Sequence, residues 1–307
     1  MSGNHVHHDH GHSHVPPSSN LAFAIGISLN IGFVVVEVVG GLAANSLALL
    51  SDASHNLSDV FGLLIAWGAI HLGKSLPTKR RTYGLRRSSI LAALVNAIVL
   101  LVVVGGIAWE AVGRFARPEV AVGSTIVWVA AIGVLINSIS ALMFMAGRKR
   151  DVNLNGAFMH LASDAAVSLG VVITGLGIGA TGWQWLDPAV SLLIGLVIVV
   201  GTWSLLRESV NLAMDAVPAG IDPQAVDAYL ASLPGVQSVH DLHIWGMSTT
   251  EAALTAHLVM PLPPSDDKFL QAVCHELHAR FEIGHVTVQI EHGTADVLCR
   301  QAPEEAV

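Results

Sequence analysis

Two stretches decide how this chain is interpreted: SDASHNLSD at residues 51–59 and HLASDAAVSLG at residues 160–170. Each stretch places a histidine four residues before an aspartate, His55 before Asp59 and His160 before Asp164, in apolar surroundings. On a helix, positions i and i+4 lie on one face, so each stretch presents an imidazole beside a carboxylate. Two such helices packed together offer four nitrogen and oxygen donors, which suit a tetrahedral Zn²⁺-like cation.

The alternative is that these side chains only hydrogen-bond between helices. Ionisable groups in hydrocarbon are costly unless they pair, face a wet cavity or bind a ligand. Interhelical hydrogen bonding could explain one pair, but it fits two identically spaced pairs poorly. The sequence therefore predicts a site for a divalent metal at membrane depth.

Composition indicates a membrane protein. Of 307 residues, 52% are hydrophobic and only 12% are charged, whereas soluble domains carry about 25% charged residues. The net charge of −8 gives no support to nucleic-acid binding. Six segments reach the length of about 20 largely apolar residues that spans a lipid bilayer: Leu21–Ala43, Leu47–Leu72, Ile90–Trp109, Val122–Ala146, Asn155–Ile178 and Trp185–Leu205. We predict an all-α six-helix transmembrane bundle over residues 21–210.

Basic residues predict the orientation of this bundle. They are concentrated in the loops after the second and fourth spans, and cytoplasmic loops are the ones enriched in lysine and arginine. Arg114 and Arg117, after the third span, are exceptions. Both termini are therefore expected in the cytoplasm.

Residues 211–293 have the pattern of a small soluble domain. PQAVDAYLASL predicts a helix, VQSVHDLHIWGM and AALTAHLVM predict strands, DKFLQAVCHELHARF predicts a helix, and HVTVQIE predicts a strand. This order is typical of an open-sheet α+β domain. Because so short a domain buries little core, pairing with a second copy would help to stabilise it.

Both ends of the chain are predicted to be tails, residues 1–20 and residues 294–307. The first contains six closely spaced histidines, a composition typical of metal-binding tracts: His5, His7, His8, His10, His12 and His14. A purification tag is the alternative, but the irregular spacing favours a natural metal-scavenging tail.

Further polar residues lie within the predicted spans. Asp52 could orient the imidazole of His55 or cap the helix. Glu37, Asn30 and Asn137 could line a wet path through the bundle or serve as packing partners.

The segments EVVGGLAANSLALLSDASHNLSD, TYGLRRSSILAAL and SVHDLHIW resemble the bacterial zinc, cobalt and cadmium branch of the cation diffusion facilitator family. The resemblance covers nearly the whole chain. It implies a homodimer that exchanges cytoplasmic Zn²⁺ for protons across the inner membrane, with His55, Asp59, His160 and Asp164 as the transport site. It also implies a ferredoxin-like, metallochaperone-like C-terminal fold.

The resemblance further implies cytoplasmic metal ligands at His240, His257 and Glu291, on three different strands. His285 lies near them in sequence, but six strand residues span roughly 20 Å, so it would need a separate ion, with Cys299 as a possible partner. Gln289 stands where some relatives have histidine, and Ser89 where an acidic residue is usual. Cys274 is expected on the buried apolar face of its helix, and His275 and His278 are expected on its solvent-exposed edge rather than as ligands.

These observations predict proton-coupled Zn²⁺ efflux by alternating access. An intramembrane zinc hydrolase would need a motif such as His-Glu-x-x-His, which the sequence does not contain. A membrane zinc sensor would not need ligands on two spans. Co²⁺, Cd²⁺ or Ni²⁺ as the main cargo stays an alternative, because affinity order alone does not choose among these ions.

Overall fold

The computed structural model contains six long helices followed by a small mixed domain. It describes residues 17–73, 76–145, 152–293, 299 and 301, and gives the backbone alone for residues 17–27, 29, 63, 66–73, 144 and 152–157. The six helices are α1 (Pro17–Ala44), α2 (Leu47–Gly73), α3 (Ser88–Ala116), α4 (Gly123–Met145), α5 (Val152–Thr181) and α6 (Leu186–Ala213). They confirm the six predicted helices, and α3 and α6 continue well past their predicted ends.

The six helices expose apolar side chains and bury polar ones, as expected of a membrane protein. In the described region, four of them are long and apolar enough to cross a bilayer, at Ser88–Ala116, Gly123–Met143, Phe158–Thr181 and Leu186–Ala213, and Asn30–Ala44 is a shorter apolar helix. Large apolar side chains such as Val102 and Val200 are exposed, whereas Glu37, Asp52 and Asn137 are buried. This inversion is expected where the surrounding medium is lipid.

The chain divides into two compact units, formed by the described parts of Met1–Val60 with Val104–Leu196 and of Phe61–Val103 with Val197–Val307. In the first unit, α1 packs on α4 and α4 packs on α5. A Cβ atom on Gly123 would lie 2.6 Å from the carbonyl oxygen of Gly175, so α4 and α5 approach backbone to backbone. Small residues permit this contact between spans.

In the second unit, the C-terminal domain contains α7 (Pro223–Ala231), β1 (Ser238–Gly246), β2 (Ala252–Val259), α8 (Lys268–Phe281) and β3 (Ile283–Glu291). The sheet has the order β1-β2-β3, with β1 antiparallel and β3 parallel to β2. The predicted sequence of two helices and three strands is confirmed. The core of the domain includes Leu230, Leu254, Leu258 and Leu277, which are fully buried.

One prediction for this domain is wrong. Cys274 is exposed rather than part of the core. The buried stripe of α8 is set by Val273 and Leu277, and each residue advances about 100° around a helix. Cys274 therefore falls at the margin of the stripe, where His275 and His278 are exposed as predicted.

Candidate metal sites

The first candidate site lies between α2 and α5. His55 and Asp59 are one turn apart on α2, and His160 and Asp164 are one turn apart on α5. The structure brings all four side chains together. His55, Asp59 and Asp164 offer donor atoms that all lie within 4.8 Å of one another, and His160 joins them through the two carboxylates.

Each carboxylate lies between the two imidazoles. The Nε2 atom of His55 lies 3.8 Å from Oδ2 of Asp59 and 3.4 Å from Oδ1 of Asp164. The Nε2 atom of His160 lies 3.4 Å from Oδ2 of Asp59 and 3.6 Å from Oδ2 of Asp164. The two rings are nearly perpendicular, with centroids 6.2 Å apart.

These distances fit a tetrahedral zinc ion. Zinc binds imidazole nitrogen and carboxylate oxygen at about 2.0–2.2 Å, which puts neighbouring ligand atoms about 3.3–3.5 Å apart. The four separations of 3.4–3.8 Å are close to this spacing, but they involve both oxygens of Asp164. His55, Asp59 and Asp164 form the compact part of the set, and His160 lies outside it. Small side-chain movements would complete the coordination.

The site is buried at Asp164 and open at His160. The side chain of Asp164 is 3% exposed, whereas that of His160 is 47% exposed. Oδ2 of Asp59 and Oδ1 of Asp164 are buried and accept no hydrogen bond from any described residue. Buried oxygens without a donor are costly, and a bound cation would satisfy both.

A second polar group lies beside this site. Glu37 on α1 and Asp52 on α2 are fully buried. The Asn56 amide donates to Oε2 of Glu37 at 2.8 Å, and the Ser168 hydroxyl donates to Oδ2 of Asp52 at 2.9 Å. The predicted capping role of Asp52 is not seen, because α2 begins at Leu47, too early for Asp52 to cap it. The predicted orientation of the His55 imidazole by Asp52 stays a prediction.

Of the two predicted pathway asparagines, Asn137 is fully buried and Asn30 is half-buried. Oδ1 of Asn30 and both side-chain polar atoms of Asn137 have no hydrogen-bond partner among the described residues. Their position along a wet path stays a prediction.

The second candidate site lies on the sheet of the C-terminal domain. His240 on β1 is paired in register with His257 on β2, and Glu291 ends β3. Nε2 of His240 lies 3.4 Å from Oε2 of Glu291, and Nδ1 of His257 lies 3.0 Å from Oε1. Cys299 completes a set of four possible ligand atoms within 4.8 Å of one another.

The charges of this second site suit a cation. Burial raises the pKa of Glu291, but hydrogen bonds from Cys299 and Gln289 and the nearby His240 and His257 outweigh burial, so the pKa lies below its ordinary value. Glu291 is therefore a carboxylate at neutral pH.

One residue beside this site, Asp241, was missed from the sequence, and one prediction is corrected. Asp241 has a left-handed backbone, φ 52°, at a β-bulge, which places its carboxylate 3.4 Å from Nε2 of His257. Cys299 joins His257 and Glu291 rather than His285. His285 is instead exposed and contacts the Tyr83 ring, because it lies six residues before Glu291 along the same strand. The histidines of the N-terminal tail lie outside the described residues.

Comparison with known proteins identifies the family. Residues 23–212 match the family model described as the cation efflux transmembrane domain, and residues 218–293 match that of the cation efflux protein, cytoplasmic domain. The chain belongs to the cation efflux family. The family resemblance read from the sequence is thereby confirmed, and the chain is a metal cation efflux transporter rather than an enzyme.

Relatives of this cation efflux protein match over almost their entire length. The metal cation efflux system protein CzcD of Cupriavidus metallidurans is 39% identical over 92% of this chain and 90% of its own. The zinc transporter ZitB of Escherichia coli is 37% identical over 93% and 92%. A cadmium, cobalt and zinc/H(+)-K(+) antiporter of Bacillus subtilis is 32% identical over 96% and 97%.

Proposed function

We propose that this protein exports Zn²⁺ from the cytoplasm in exchange for protons, with His55, Asp59, His160 and Asp164 as the transport site. The observation that carries the proposal is the position of each carboxylate between two imidazoles at 3.4–3.8 Å. The names of the relatives add support, since they include zinc transport, and cadmium, cobalt and zinc exchange with H⁺. Co²⁺, Cd²⁺ and Ni²⁺ are the alternative cargoes.

The same four side chains account for the exchange of metal and protons. Zinc binds neutral imidazole and ionised carboxylate, so metal entry expels protons from the empty site. In the reverse step, protonation of His55 and His160 displaces the ion, because imidazole changes charge near neutral pH. Alternating access then requires α2 and α5 to shift after the ion has bound. The shift distorts the tetrahedral coordination, so that the ion can leave on the opposite side of the membrane.

We propose a transport domain at residues 21–210 and a cytoplasmic domain at residues 211–293. Both termini lie in the cytoplasm, and the protein lies in the bacterial inner membrane. We further propose that the protein forms a homodimer. A membrane zinc sensor stays the alternative function. Zn²⁺-driven proton flux separates the carrier from the sensor, because a sensor binds metal without moving it.

The cytoplasmic domain is proposed to hold a second, resident divalent ion. Its ligands are His240, His257 and Glu291 with the thiolate of Cys299. Two imidazoles, a carboxylate and a thiolate suit zinc. A regulatory or structural role fits this closed set of four protein ligands better than transport.

The transport proposal is tested with protein reconstituted into vesicles that contain a pH-sensitive dye. His160→Ala and Asp164→Asn each remove one ligand, and we expect Zn²⁺-driven proton flux to disappear in both. Changes outside the ligand shell alone cost about 10–100-fold in metal affinity, so the loss of a ligand should exceed that effect.

Ser163→Ala is the matched control. Ser163 precedes Asp164, is exposed, and donates its hydroxyl to the carbonyl of Met159 within its own helix. This variant should transport at the wild-type rate. Wild-type flux in His160→Ala or Asp164→Asn would overturn the assignment of the transport site.

A further inference from the structure

Two buried carboxyl groups beside the transport site each have one oxygen without a described partner. Glu37 and Asp52 are both fully buried. Oε2 of Glu37 and Oδ2 of Asp52 accept hydrogen bonds from Asn56 and Ser168, respectively. Oε1 of Glu37 and Oδ1 of Asp52 receive no hydrogen bond from the described residues, although the two side chains lie within hydrogen-bonding reach of each other.

A single proton shared by Glu37 and Asp52 would supply a hydrogen bond to the two oxygens that lack one. Two carboxylates in contact in a dry interior repel each other, so such pairs commonly share one proton. A protonated carboxyl is a donor as well as an acceptor. One O–H group between Oε1 of Glu37 and Oδ1 of Asp52 would satisfy both oxygens, with Asn56 and Ser168 serving the other two.

The surroundings connect this pair to the transported ion. Asp52 lies one turn before His55 on α2, and Asn56 directly follows His55. The charged groups that act on the pair are His55 on α2 and Asp164 on α5. Helix α4, which packs on α1, has no ionisable residue, and Asp187 at the start of α6 is engaged with the N-terminus of α2.

We propose that Glu37 and Asp52 together hold one exchangeable proton, separate from those on the four ligands, and that this proton competes with the divalent ion. The competition follows from charge. Without the ion, the carboxylate of Asp164 favours a proton on the pair, and a bound cation offsets that negative charge and weakens the hold on the proton. The O–H bond that breaks releases its proton to water, and it reforms when the metal leaves. This inference rests on the proposed function for the identity of the ion.

Infrared difference spectroscopy on the full-length protein tests the proposal. The wild type should show the C=O stretch of a protonated carboxylic acid at neutral pH, and addition of Zn²⁺ should reduce it. Glu37→Gln keeps the size and the hydrogen bonds, because its amide can donate to Asp52 and accept from Asn56, but it cannot exchange a proton. This band should be missing in Glu37→Gln and in Asp52→Asn.

Proton release on Zn²⁺ binding, measured calorimetrically in buffers of different ionisation enthalpy, is the second readout. Glu37→Gln should bind Zn²⁺ and release fewer protons per ion than the wild type, by up to about one. A retained carboxyl band, or an equal proton count, would overturn the shared proton. If the wild type binds no Zn²⁺, it is the proposed function that fails, and the band still reports on the pair.

Discussion

Asp187 fixes the start of the helix that carries the first ligand pair. Its carboxylate is 1% exposed and accepts hydrogen bonds from the Ser46 hydroxyl and from the backbone N–H groups of Leu47 and Ala48. The first N–H groups of a helix have no intrahelical partner, so a carboxylate from another helix satisfies them. Arg114, 3.8 Å away, balances the charge and also donates to the carbonyl of Asn45.

Asp187→Ala should destabilise the protein through loss of this buried cap. The Ser46 hydroxyl and the backbone N–H groups of Leu47 and Ala48 would lose their acceptor, at a cost of about 1–3 kcal/mol for each buried group left unpaired. Thermal unfolding in detergent measures the change as a lower midpoint temperature.

Glu110→Ala is the control for this prediction, because Glu110 also pairs with Arg114, at 3.3 Å, but is half exposed. An exposed ion pair contributes about 0–1 kcal/mol, so the midpoint should barely move. Equal shifts in the two variants would contradict the capping role of Asp187.

At the scale of elements, the register of the three-stranded sheet places the candidate metal ligands of the C-terminal domain close together. His240 and His257 face each other across the β1–β2 ladder, and Glu291 lies two residues beyond the partner of His257 on β3. Side chains two residues apart on a strand lie on one face. The register of three strands thus gathers ligands that are up to about fifty residues apart in sequence.

Cys299→Ser should weaken metal binding at this cluster, since a hydroxyl is a poor substitute for a thiolate. A hydrogen bond with the backbone of Gln301 lowers the pKa of the Cys299 thiol, but burial and the Glu291 carboxylate raise it above its ordinary value. The thiol is therefore protonated at neutral pH. Metal binding must expel that proton, so the affinity should fall as pH falls.

Co²⁺ titration in an Asp164→Asn background, which disables the transport site, isolates this cluster. The thiolate-to-cobalt absorption should appear with Cys299 present and be absent in Cys299→Ser. Cys274→Ser, at an exposed position on α8, should leave the absorption unchanged. The same absorption in Cys299→Ser as in its parent would contradict a role for the thiol.

At the scale of the whole molecule, the protein is expected to work as a dimer. The family model that matches residues 218–293 carries dimer in its name, ZT_dimer. The C-terminal domain is small, and small domains bury a low fraction of their surface, so a second copy would add apolar contact.

Light scattering of the detergent-solubilised protein should give twice the mass of one chain. A chain that ends at residue 212 lacks the matched cytoplasmic domain and should show a larger single-chain fraction at the same concentration. A single-chain mass for the full protein at every concentration would contradict the dimer.

The sequence alone determined the local features of this protein. The lengths of the six apolar segments, the pairing of His55 with Asp59 and of His160 with Asp164, and the order of elements after residue 211 all depend on residues near each other in the chain. Helical periodicity and strand alternation act over a few residues. These features could therefore be predicted and were found.

Only the tertiary structure decided which distant groups meet. It placed His55 on α2 at 3.4 Å from Asp164 on α5, and Asp59 on α2 at 3.4 Å from His160 on α5. It also put Asp52 in contact with Ser168 and Asp187 in contact with the start of α2. It also showed that Cys299 contacts His257 rather than His285, and that Cys274 lies at the surface. Contacts between residues far apart in sequence depend on helix packing and strand register, and local pattern carries no information on either.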